Sequence, residues 1–288
     1  MTPAAVDGVA RADATRGPRS PWISRHRIGV FVTLAFALSW WPWPLALAHP
    51  DSVAMISFGP VIAAFVVASL GGQRGAVGSL ARSVVQWRAP RWTWLVAALS
   101  PFALAAITGV VAVAAGIVDS AGFDGGIGWS TWLSVPLLML ATGVLGGPLF
   151  EEVGWRGFLL NDFQRRHAAL WSTAIVGSIW VVWHLPLLVS EPTGQRPPLP
   201  FAVGVLAQAV LLTWLYNSSR GSVLIAIVFH TAVNTAARLL LEPFLSDEGF
   251  IALWWLMASL YVVAAVAVTW QTNSRLGLIP PCGSRDAR

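Results

Sequence analysis

Lysine is absent from this 288-residue chain, cysteine occurs once, and charged residues make up only 11% of it. Each scarcity excludes something. The single thiol, Cys282, excludes an intramolecular disulfide and a cysteine-ligated metal site, and it does not read as a C-terminal prenylation box. All 18 basic residues are arginines that flank apolar runs, so the net charge of +5 forms no compact patch for nucleic acid. Such sparse charge in a chain that is 56% hydrophobic excludes an ordinary soluble domain. No internal repeat or low-complexity segment is apparent. The lysine-free, Ala-, Gly- and Arg-rich composition fits a GC-rich bacterial genome.

What is present is a series of long apolar windows. Runs of roughly 20 such residues, enough to cross a bilayer, can be placed about eight times. They lie near residues 28–48, 52–70, 93–118, 130–160, 170–190, 200–217, 222–241 and 250–270. The expected fold is therefore an all-α, polytopic membrane bundle. Residues 1–27 are polar and Arg-rich, and the apolar stretch after them is too long for a signal-peptide core, so it is expected to remain in the bilayer. Arginines concentrate in the N-terminal arm, in the 71–92 connection, at Arg165, Arg166 and Arg220, and in the tail. The alternate connections carry Asp51, Asp119, Asp124, Glu191, Glu242, Asp247 and Glu248 against Arg196. By the arginine bias both termini are expected in the cytoplasm. Tryptophans near the expected span ends, such as Trp41, Trp92, Trp171 and Trp270, read as interfacial anchors.

Three clusters of polar residues interrupt the apolar runs. EEVGWRG places Glu151, Glu152 and Arg156 where each charge costs on the order of 2.5–3.5 kcal/mol to insert. Glu152 and Arg156, four apart, can pair on one helix face; Glu151 and Arg156, five apart, diverge by roughly 140°. WVVWHLP contributes His184, and VFHTAVNTA contributes His230 and Asn234 on one face. At about 1.5 Å per residue, Glu151 lies roughly 14 Å from Leu160, His184 roughly 20 Å from Trp171 and His230 roughly 12 Å from Ser222, so the three can meet in one layer. Each residue alone is as readily interhelical hydrogen-bonding glue or a neutralised pair. Arg238, with Glu242 four residues on, reads as a structural pair or a snorkelling side chain near the outer end.

In this order and placement, Glu-Glu-x-x-x-Arg, aromatic-x-x-x-His and His-x-x-x-Asn resemble the CPBP family. That family groups CAAX prenyl protease type 2 enzymes with bacterial relatives and bacteriocin-processing or self-immunity (Abi-like) proteins, as intramembrane glutamic endopeptidases. The resemblance covers about residues 130–240. It implies Glu151 and His184 as activators of a water and His230 and Asn234 as oxyanion donors, with Glu152, Arg156 and Trp180 in support and no cofactor or metal. Trp180 stands where the family usually has phenylalanine. The chemistry suits the residue types: a carboxylate in a low-dielectric pocket is a stronger base than in water, and imidazole and carboxamide are uncharged donors.

The implied partners are the lipid bilayer and a membrane-associated peptide or protein substrate, in the plasma membrane, with the site opening towards the cytoplasm. Three alternatives stay open: a zinc protease using Glu151, His184 and His230, a non-catalytic scaffold or immunity protein, and a proton-coupled transporter. Absence of HExxH weighs against zinc, and confinement of the polar groups to one layer weighs against transport. The expected organisation is a disordered cytoplasmic arm (1–24), N-terminal membrane helices (25–129), a catalytic core (130–242), a last membrane helix (243–272) and a cytoplasmic tail (273–288).

Overall fold

The computed structural model describes residues 20–49, 52–71, 74–120, 129–145, 147–190, 196–241, 244 and 248–278. Most of the proposed arm, most of the tail with Cys282, and Asp51, Asp124, Glu191, Glu242 and Asp247 lie outside them. Among the described residues every regular element is helical. In chain order these are α1 (Pro21–Arg25), α2 (Arg27–Trp40), α3 (Trp43–Ala48), α4 (Gly59–Gly71), α5 (Ala76–Val84), α6 (Arg91–Ala114) and α7 (Trp129–Leu145). Then follow α8 (Pro148–Gln164), α9 (Ala169–Trp183), α10 (Leu185–Ser190), α11 (Pro198–Ser218), α12 (Val223–Leu241) and α13 (Phe250–Gln271).

Among the described residues six helices are long and apolar enough to cross a membrane, and a seventh span forms if the bent pair of Ser134–Gly143 and Pro148–Gln164 is counted as one. The second expected span is shorter than its apolar window: residues 52–58 lie outside the helix, and α4 begins only at Gly59. The fourth is broken at Gly147 and Pro148. Gly147 has φ +112°, a backbone setting that side-chain-bearing residues rarely adopt, and Pro148 starts the next helix where its missing N–H costs nothing. The two halves meet at 45°.

The bundle is organised around α12, which packs on α6, α7, α8 and α11. A second layer pairs α11 with α13 and α9, while α2 lies along α4. Small residues of α4 (Ala63, Ala64, Ala68) are buried, which lets neighbouring backbones approach closely. Beside α4, residues 153–160 of α8 form a π-helix, and a Cβ on Gly154 would collide with Pro60. Aromatic packing of Trp155 against Phe31 and Trp183 fills the centre, and Trp40 Nε1 donates to the Trp183 carbonyl at 2.9 Å. Leu95, Leu99, Val110, Val263 and Val266 remain exposed on α6 and α13, as lipid-facing positions should. Trp41, Trp92, Trp171 and Trp270 are exposed too, in keeping with anchoring.

Candidate active site

Glu151 reaches the interior because the break at Gly147 starts α8 inside the bundle. Its Oε1 rests against Gly147, near Ser57 Oγ, and its Oε2 accepts the indole N–H of Trp180 at 2.8 Å. The carboxylate is buried and lies within electrostatic reach of His230, Glu152 and Arg156.

Glu152 turns away into a fully buried cluster. Its Oε1 accepts from Arg156 Nη1 at 3.0 Å, the pair expected from the i,i+4 spacing, and also from His230 Nδ1 at 2.8 Å. The Arg156 guanidinium carbon sits over the Trp180 ring, 4.5 Å from its centroid. A desolvated cation–π contact of this kind contributes about 2 kcal/mol. Ideal α-helical spacing separates Glu151 from Arg156, yet both side chains meet the same indole, one at its edge and one at its face. The i→i+5 turns after Glu152 widen the helix and rotate Arg156 back towards Glu151, something a 100° wheel does not anticipate.

The two histidines are fixed by their Nδ1 atoms. His184, at the C-terminal end of α9, directs Nδ1 at the Trp180 carbonyl 2.8 Å away. A carbonyl only accepts, so Nδ1 carries the proton and neutral His184 presents Nε2 as a lone pair. His230 Nδ1 likewise donates to Glu152, so neutral His230 also presents a lone pair at Nε2 and becomes a donor there only as imidazolium. This contact joins residues 78 positions apart and has no local signal in the sequence.

Glu151, Trp180, His184, His230 and Asn234 all line one cavity of about 740 Å³, while Glu152 and Arg156 lie behind its wall. Arg196, Gln208, Arg238 and Tyr261 line it as well. The sequence gives no signal for Gln208 or Tyr261, and Arg238 reads from it as a structural pair or a snorkelling side chain near the outer end. Apolar walls are supplied by residues such as Leu138, Phe201, Trp254 and Met257. Met55, Ser57, Arg196, Leu241 and Phe250 mark the end the cavity reaches, and none of its lining residues comes from the arginine-rich connections.

Among the described residues, no three His, Cys, Asp or Glu groups come together as a metal-ligand set. His230 and Glu152 are already engaged with each other.

Comparison with known proteins agrees with the motif reading over this stretch. Residues 131–236 match the family described as type II CAAX prenyl endopeptidase Rce1-like. A protein of Methanococcus maripaludis named CAAX prenyl protease 2 is 31% identical over 133 residues, which cover 43% of this chain and 48% of that relative. The chain thus spans about half the length of the curated relative it matches. The resemblance drawn from the three motifs is borne out in this segment, and the multi-pass membrane character agrees with it.

Proposed function

We propose that this protein is an intramembrane endopeptidase that hydrolyses a peptide bond of a membrane-associated, CAAX-type substrate without a metal. The observation that carries the reading is the convergence of Glu151, His184, His230 and Asn234, from three separate helices, on one cavity. Glu151 and the Nε2 lone pair of His184 hold a water. Glu151 takes one proton from it as the oxygen attacks the carbonyl carbon, and the carbonyl oxygen becomes an oxyanion. Asn234 and protonated His230 donate to that oxygen. Collapse breaks the C–N bond, and the proton on Glu151 passes to the leaving nitrogen.

Charge balance supports this division of labour. Two carboxylates face one guanidinium in the buried cluster, so neutrality needs one more proton. A proton on His230 would supply it and make that residue the donor the oxyanion requires.

With the arginine bias setting orientation in the plasma membrane, both termini are cytoplasmic and the hollow end of the bundle faces the other side. The test is hydrolysis of an internally quenched, farnesylated CAAX peptide by protein reconstituted in vesicles, beside membrane proteomics of wild-type and Glu151→Gln strains. Cleavage lost in Glu151→Gln supports the reading. Cleavage retained by that variant, or stoichiometric zinc whose removal abolishes activity, refutes it.

A further inference from the structure

The indole of Trp180 takes part in more of this site than any bulk-filling aromatic needs to. Its N–H donates to Glu151 Oε2, its face carries Arg156, and its ring meets His230 edge-on at a centroid distance of 5.2 Å, interplanar angle 80°. Its backbone carbonyl fixes the His184 tautomer. It is also almost completely buried, so these contacts do not compete with solvent. A phenylalanine ring in this position could keep the face and edge contacts and the backbone bond. It could not make the bond to Glu151, because only the indole has a donor.

We propose that Trp180 is a positioning residue for the hydrolytic step: its Nε1–H fixes Glu151 through Oε2, so that Oε1 is the oxygen presented to the attacking water. The inference rests on the proposed function and adds a determinant specific to the tryptophan. A carboxylate on a flexible side chain otherwise samples several rotamers, and a base misplaced by about 1 Å can lose on the order of a hundredfold in rate. Gly147 completes the fit on the other side, since a Cβ there would overlap Oε1. The two contacts bracket the carboxylate in one orientation.

The test replaces the donor while keeping the shape. Trp180 is exchanged for 3-benzothienylalanine, whose sulfur replaces the N–H, and separately for phenylalanine; Trp155→Phe serves as control. Trp155 is an equally buried tryptophan whose Nε1 has no hydrogen-bond partner among the described residues. Proteins reconstituted in vesicles are assayed with the farnesylated quenched peptide. The expected result is a kcat lowered roughly tenfold to a hundredfold in both Trp180 variants, the usual effect of losing a hydrogen bond to a charged group, with KM within about twofold. Trp155→Phe is expected to keep kcat. Wild-type kcat in the benzothienyl protein overturns the inference even if Trp180→Phe fails to fold, as does a loss equalled by Trp155→Phe. If Glu151→Gln is inactive while the benzothienyl protein is fully active, only this inference falls. If Glu151→Gln is active, or wild type leaves the peptide intact, the proposed function falls and takes the inference with it.

Discussion

Exchanging one glutamate for glutamine at position 151 and then at position 152 should produce two different defects, although the residues are neighbours in sequence and both are buried. Glu152 Oε1 accepts from Arg156 at 3.0 Å and from His230 at 2.8 Å, with all three side chains at most 5% exposed. Arg156 has no reserve: its Nε and Nη2 are already buried without a partner among the described residues. Glu152→Gln leaves that guanidinium facing a neutral amide, and breaking a buried pair from one side costs about 3–5 kcal/mol. At about 2–4 °C per kcal/mol for a domain of 150–250 residues, the melting temperature in detergent should fall on the order of 10 °C. Glu152→Gln/Arg156→Met removes both charges and should recover more than half of that loss. Glu151→Gln keeps the carbonyl oxygen that Trp180 needs and removes only the base, so its melting temperature should stay within about 2 °C while activity drops by a factor of about 100 or more. Thermal unfolding and specific activity per folded molecule, measured on all four proteins, decide the matter. Equal, stability-neutral losses at 151 and 152, or a double variant no better than Glu152→Gln, would refute the division of roles.

His184→Gln should lower kcat by about 10²–10⁴-fold, because the base-side lone pair at Nε2 is lost; a kcat within a few-fold of wild type would remove His184 from the mechanism. Asn234→Ala should cost about 10²–10³-fold in kcat, the scale of one oxyanion donor, with little change in thermal stability. Gly154→Ala should destabilise by about 1–3 kcal/mol through the collision with Pro60, and an unchanged melting temperature would show that α8 and α4 are not packed as described. For orientation, topology reporters after residues 80 and 118 should report opposite sides. In a Cys282→Ser background, Ala237→Cys, a cavity-lining position, should react with an impermeant thiol reagent from the side of residue 118. Labelling from the side of residue 80 would reverse the orientation argued for the cavity.

Composition and hydropathy sufficed for the all-helical membrane class, because a bilayer requires long apolar segments whatever their packing. The order of the three polar motifs sufficed to nominate the residues that line the cavity, because each charge or donor in such a segment needs a reason to be there. The i,i+4 pairing of Glu152 with Arg156 was equally legible, since helix geometry alone sets it. Contacts between helices were not. That His230 answers to Glu152, that Trp180 donates to Glu151, and that Arg238 faces the cavity depend on how separate helices pack, and no local spacing encodes that. The π-helical turns of α8 changed which side chains share a face, and the break at Gly147 set where Glu151 begins. Which side chains share the cavity was decided last, by how the helices pack on one another, a property of the assembled fold alone.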